Sequence, residues 1–144
     1  MKIGIISDTH GNIDAWRKAL SFFEGADLII HAGDVLYHPP RVGWMQGYDI
    51  PALVEALNNS EIPVVIAQGN CDSQVYEELL KMPVQSPYAL VEVGGIRLVV
   101  NHGHLLNREA MLDTARRYKA GCFIHGHTHV PELELCGGVL LVNP

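Results

Sequence analysis

No segment of this sequence is apolar for long enough to cross a bilayer, which takes about 20 consecutive apolar residues. No stretch is biased in composition and no internal repeat is visible, which excludes disordered, fibrous and solenoid classes. Charge is sparse at 18%, and it leaves a formal net charge of −6. The ten Lys and Arg residues are scattered, so non-specific nucleic-acid binding is not expected. Cysteine is scarce too. Cys71, Cys122 and Cys136 are odd in number and widely spaced, which gives neither a disulfide framework nor a Cys-rich structural zinc site. They read as reduced thiols. No signal peptide precedes the strand pattern that starts directly after Met1-Lys2, so the expected location is the cytoplasm, with no membrane partner.

What is present is a 144-residue chain with 48% hydrophobic residues, enough for one domain, 1–144, with a substantial core. Apolar runs at Ile3–Ile6, Leu28–Ile30 and Pro63–Ala67 read as buried strands. Asn12 caps a helix to about Phe23, and a second helix runs from about Ile50 to Asn58. Ser73 or Asp72 is placed to cap a third, from about Gln74 to Lys81. Asn107 starts a fourth, to about Tyr118. Gly94-Gly95 and Gly137-Gly138 each separate two strand-like runs and signal hairpins. Cys122–Ile124 is a further strand. Residues 35–49, with Pro39, Pro40, Gly43 and Gly47, read as a long loop. The pattern is α/β, with sheet layers enclosed by helices.

Five of these runs end in polar groups of one kind. They are Asp8-Thr9-His10, Gly33-Asp34, Gly69-Asn70-Cys71-Asp72, His102-Gly103-His104 and His125-Gly126-His127-Thr128-His129. Ligands bind beyond the carboxyl ends of strands in open α/β sheets, so parallel strands would bring the five groups to one edge. Asp, Asn and His supply oxygen and imidazole donors for ions such as Mn, Fe or Zn. The set is large enough for two ions sharing a carboxylate, an arrangement that clamps both oxygens of an in-line displacement at phosphorus. An acidic chain that handles phosphate needs such cations to reverse its local field.

In order and spacing these blocks resemble the calcineurin-like metallophosphoesterase superfamily, and within it the small bacterial and archaeal phosphodiesterase branch, over residues 1–144. The resemblance implies a four-layer α/β/β/α sandwich of two mixed sheets flanked by helices. It implies that Asp8, His10 and His129 hold one divalent metal, that Asn70, His102 and His127 hold a second, and that Asp34 bridges both. Asp34, Asn70 and His102 would form the catalytic core, with a metal-bridging hydroxide as nucleophile. Mn is the expected metal, with Ni, Co, Fe and Zn as alternatives, and a small phosphate ester is the expected substrate. Cys71 stands where many superfamily members carry a proton-donating His. That departure points to diesters, whose leaving groups need less acid assistance than those of monoesters. Family members also continue past Asn143-Pro144. A chain ending there would leave its last strand with little to pack against, so a longer natural protein is expected.

Blander readings compete at several positions. Asp72 reads as a helix cap, and Asn70 as a cap or a ligand. The family pattern and the strand end favour His102 over His104 as a ligand, leaving His104 to substrate or a supporting contact. His127 and His129 alternate with Thr128 and so can share one side of an extended segment. His31 reads as structural, His125 as structural or as a supporting contact behind the site, and Trp16, Cys122 and Cys136 as packing residues. Arg41, near His38 in the long loop, is a solvated residue or a substrate contact. Trp44 and Met45 read as a lid or a homo-oligomer contact. Rival functions are a metal-free protein-interaction scaffold of the same fold, a nuclease, and a purely structural metal site.

Overall fold

The computed structural model describes residues 1–38 and 45–144. The readings made for Pro39, Pro40, Arg41, Gly43 and Trp44 lie outside the described residues. Strands β1 (Ile3–Ile6), β2 (Leu28–His31), β3 (Val64–Ala67) and β4 (Val84–Gln85) form one parallel sheet in that order. A second, mixed sheet has the order β5 (Ala89–Val93), β6 (Ile96–Val100), β7 (Cys122–Ile124), β9 (Val139–Asn143), β8 (Glu132–Cys136). Here β6, β7 and β9 run parallel, and the hairpin partners β5 and β8 run antiparallel to β6 and β9.

The two-residue side-chain period of each strand sorts the core into three seams. Ile29 and Ile66 face helices α1 (Ile13–Phe22) and α2 (Ile50–Asn58), where Trp16, Leu53 and Leu57 meet them. Their chain neighbours Ile30 and Ala67 face the other way, against Val100, Ile124 and Val142 of the second sheet. Val99, Phe123 and Leu141 then pack under helix α4 (Arg108–Arg117), on Met111 and Ala115. The result is helix, sheet, sheet, helix: the expected four layers.

Asn12, Asp49 and Asn107 cap α1, α2 and α4, each side chain accepting a backbone N–H three residues on. The third helix is shorter than expected. Helix α3 covers only Tyr76–Leu79 and has no side-chain cap, because the carboxylate of Asp72 is spent elsewhere. The last strand also differs from expectation. β9 lies inside its sheet, paired to β7 on one side and β8 on the other, so β8 is the edge. No helix among the described residues is long and apolar enough to cross a membrane.

Candidate metal centre

The carboxyl ends of β1, β2, β3, β6 and β7 all point to one rim, and each leads into one of the five polar blocks. Backbone hydrogen bonds lock these turns together. Asp8 N–H donates to Gly33 O at 2.9 Å, His10 N–H to Asp34 O at 2.9 Å, and Gly126 N–H to His102 O at 3.1 Å. Asp72 is the clasp between the β2 and β3 turns. Its carboxylate accepts the N–H groups of Asp34, Val35 and Gly69, each at 2.8 Å. It is therefore a turn-fixing residue and not the helix cap expected from its position.

The backbone at the rim is strained in a selective way. Six described non-glycine residues have positive φ, and five of them are Asp8, His10, Asp34, His127 and His129. The sixth, Lys119, closes the end of α4. A left-handed L-residue costs about 1 kcal/mol or more, and such strain collects where function needs a side chain aimed against its preference. His127 and His129 thus do not share one side of an extended segment. Left-handed turns at both residues send His129 to Asp8 and His127 to His102 and His104. Thr128 points away and accepts from Asn143.

Each carboxylate commits one oxygen to the protein and presents the other to the centre. Asp8 Oδ2 accepts from Ser7 Oγ at 2.5 Å and from His127 N–H at 3.0 Å. Asp8 Oδ1 lies 3.1 Å from His129 Nε2, 3.7 Å from His10 Nε2 and 3.8 Å from His102 Nε2. Asp34 Oδ1 accepts Cys71 N–H at 2.8 Å, while Oδ2 lies 3.8 Å from His10 Nε2 and 3.2 Å from His102 Nε2. Ser7 is a support that sequence reasoning missed. A serine before an aspartate carries no signal of its own.

Two buried histidines of the centre, His10 and His102, are oriented by carbonyls. His10 Nδ1–H donates to Tyr37 O at 2.8 Å, and His102 Nδ1–H donates to Ala32 O at 2.9 Å. With Nδ1 as donor, the neutral ring carries a lone pair on Nε2. Both Nε2 atoms are buried and lack a hydrogen-bond partner. Lone pairs facing carboxylate oxygens at these separations repel unless a positive charge sits between them. The titration preferences agree. Burial alone would lower His102, yet neighbouring Asp34 leaves it raised. Burial alone would raise Asp34, yet His102 and the Cys71 amide hold it down at about 2. A donor set of imidazole and carboxylate, oriented from behind by carbonyls and amides, fits a divalent cation.

Among the described residues, three groups of side chains have donor atoms close enough to hold an ion: Asp8, His10 and His129; His10, Asp34 and Cys71; Asp8, Asp34 and His102. Asn70 and His127 stand at the rim of these groups. Asn70 sits beside Cys71, its amide nitrogen donating to Sγ at 3.3 Å, and the His127 ring centroid is 5.3 Å from that of His102. The His104 ring lies 5.6 Å from that of His102 and 6.1 Å from that of His127, so it belongs to this rim as well. Burial pushes the Cys71 thiol up to about 11, and nearby Asp34 adds to the shift. His31 and His125 are structural, as expected. His31 bonds Thr9 and the Gly33 amide, and His125 bonds Glu132.

The chain matches the calcineurin-like phosphoesterase superfamily domain over residues 1–144. It is 35% identical over 146 residues to Phosphodiesterase YfcE of Escherichia coli (strain K12), covering 100% of this chain and 78% of that protein. The solved structure of YfcE, a phosphoesterase from E. coli, aligns with a TM-score of 0.85 over 100% of this chain and 79% of that one. Phosphodiesterase MJ0936 of Methanocaldococcus jannaschii is 28% identical over 155 residues, covering 100% of this chain and 82% of its own length. Vacuolar Protein Sorting 29 from Cryptosporidium parvum, at 22% identity and a TM-score of 0.70 over 99% of this chain and 72% of that one, shares the fold alone. This chain belongs to the calcineurin-like phosphoesterase superfamily and is a phosphoesterase, a hydrolase of that family.

Proposed function

We propose that this protein is a phosphodiesterase that acts on small phosphate esters with two divalent cations, Mn first among them. Asp8, His10 and His129 would hold one cation, Asn70, His102 and His127 the other, and Asp34 both. When bound, the cations supply the nucleophile by lowering the pKa of a shared water toward neutrality and offset the charge of the phosphoryl oxygens. The chain's own groups do the rest. The carbonyls of Tyr37 and Ala32 fix the tautomers of His10 and His102, and the Cys71 amide holds Asp34 Oδ1 so that Oδ2 faces both histidines. Burial favours the neutral thiol at Cys71, and a thiol is a weaker proton donor to a leaving group than the imidazolium that many superfamily members offer there. With only that weaker donor there, esters with good leaving groups are favoured, which is the argument for diesters over monoesters. One domain, 1–144, would carry this activity, in the cytosol, where Cys71, Cys122 and Cys136 remain free thiols.

The observation that carries the reading is the pair of buried, unpartnered Nε2 atoms of His10 and His102, set against Asp8 and Asp34. A metal-free scaffold would have to compensate that arrangement with protons on the rings. Elemental analysis of the purified protein, followed by hydrolysis of an aryl phosphodiester with added Mn, tests the proposal. About two metal equivalents per chain and turnover that disappears on chelation are expected. Absence of both would favour the scaffold instead.

A further inference from the structure

Beside the metal centre lies an open cleft of about 440 Å³, a size in the range of small-molecule sites. Asn70 and His104 belong to both places. The cleft then runs along Tyr88, Leu105 and Leu106, with Gln68 and Asn101 below. Its walls are held in place. Asn101 Nδ2 donates to Pro87 O at 2.7 Å, and its Oδ1 accepts Gly103 N–H at 2.8 Å. Leu106 N–H donates to Gly103 O at 3.1 Å, a tight turn that leaves Leu105 83% exposed at the mouth.

The charge of this lining is unusual for a phosphate-handling surface. No Lys or Arg lines it among the described residues. Its one carboxylate, Asp72, is buried and already saturated by three backbone amides. The cleft therefore offers neither a partner for a second anionic group nor one for a cation. What remains is an apolar wall with neutral hydrogen-bonding groups, which suits an uncharged substituent with an aromatic or aliphatic body.

We infer that this cleft receives one ester substituent of the substrate, and that it selects diesters whose substituent is uncharged and apolar-bodied over those carrying a further phosphate or carboxylate. This rests on the reading that the phosphoryl group sits at the metal centre. From there a substituent passing over Asn70 and His104 enters the cleft and covers Leu105 and Tyr88. Leu105, Leu106 and Tyr88 are then specificity-determining residues.

The test compares Mn-loaded protein on phenyl 4-nitrophenyl phosphate and methyl 4-nitrophenyl phosphate, which share a leaving group. Burial of the phenyl ring against Leu105 and Tyr88 corresponds to about a tenfold effect on kcat/KM. The phenyl-to-methyl ratio should therefore fall by about tenfold in the double variant Leu105→Ser/Tyr88→Ala. Leu105→Lys should shift preference toward 3-carboxyphenyl 4-nitrophenyl phosphate over the phenyl ester. Leu105 is exposed, so the Lys variant is not expected to disturb folding. If the wild type turns over the methyl ester but neither variant moves its ratio by more than about twofold, well short of the roughly tenfold effect that ring burial implies, the cleft assignment is wrong and the phosphodiesterase reading stands. If the metal-loaded wild type hydrolyses neither ester, both fall together.

Discussion

Asp34 reaches the centre with its two oxygens committed to different neighbours, one to the Cys71 amide and one toward His10 and His102. Asp34→Asn keeps the shape and the amide contact but removes the charge. Losing an outer partner of a metal ligand already costs about 10–100-fold, so this change is expected to lower kcat/KM by at least about 100-fold. Circular dichroism should be unaltered, and full activity with two bound metals would contradict the bridging role. Cys71→His places an acid beside the same amide. It should raise monoesterase relative to diesterase activity, and an unchanged ratio of the two rates would argue against the leaving-group explanation. His31 lies behind the centre, fully buried, with its pKa lowered to about 4, chiefly by desolvation. Thr9 donates to Val35 O, so His31 Nε2–H donates to Thr9 while Nδ1 accepts from Gly33. The ring is neutral when folded and titrates near 6.5 when unfolded. Its contribution to stability is complete above pH 6.5 and is lost as pH falls toward 4, because the unfolded chain takes up the proton first. That linkage is worth about 3 kcal/mol. In urea denaturation of metal-free protein, the stability advantage of wild type over His31→Gln should shrink by about that amount between pH 7 and pH 4. A constant difference would show that the ring is not held neutral.

At the scale of elements, the turns between strands and helices matter more than the elements themselves. A methyl group at Gly69 would collide with both the backbone nitrogen and the carboxylate of Asp34, and one at Gly126 would collide with Ser7 and Asp8. Neither glycine has a positive φ to explain it; both mark a close approach of one turn to another. Gly69→Ala and Gly126→Ala are therefore expected to displace the ligands and weaken Mn binding by roughly 10–100-fold by calorimetry, with secondary structure retained. Unaltered affinity would mean that the turns relax freely. These turns also show what the sequence could convey. The caps Asn12 and Asn107 and the glycine-pair hairpins were legible because each is a local signal. The truncated third helix was not, because Asp72 serves partners 37 and 38 residues away. Strand β4, two residues long, offers no periodicity to read. His127 and His129 were legible as a pair, but the means of aiming them, two left-handed residues, leaves no mark in an L-residue sequence.

For the whole molecule, alternation along the strands was enough to suggest enclosed sheets, but the stacking of one sheet on the other came from family resemblance. Periodicity does not say which seam is sheet on sheet. The assembled fold gathers Asp8 and Asp34 at one rim of a chain that already carries −6. Binding of cations there should therefore couple to global stability, since the unfolded chain has no preformed site. An ion present at a hundred times its dissociation constant adds about 2.7 kcal/mol. For 144 residues that is a rise in Tm of about 9 °C per ion. Thermal unfolding of wild type is expected to show such a rise on adding Mn to chelator-treated protein, and a return on renewed chelation. Asp34→Asn should retain less than half of the shift, because both ions lose their common ligand. A shift of equal size in that variant would place the stabilising ion somewhere other than the rim where the five strand ends meet.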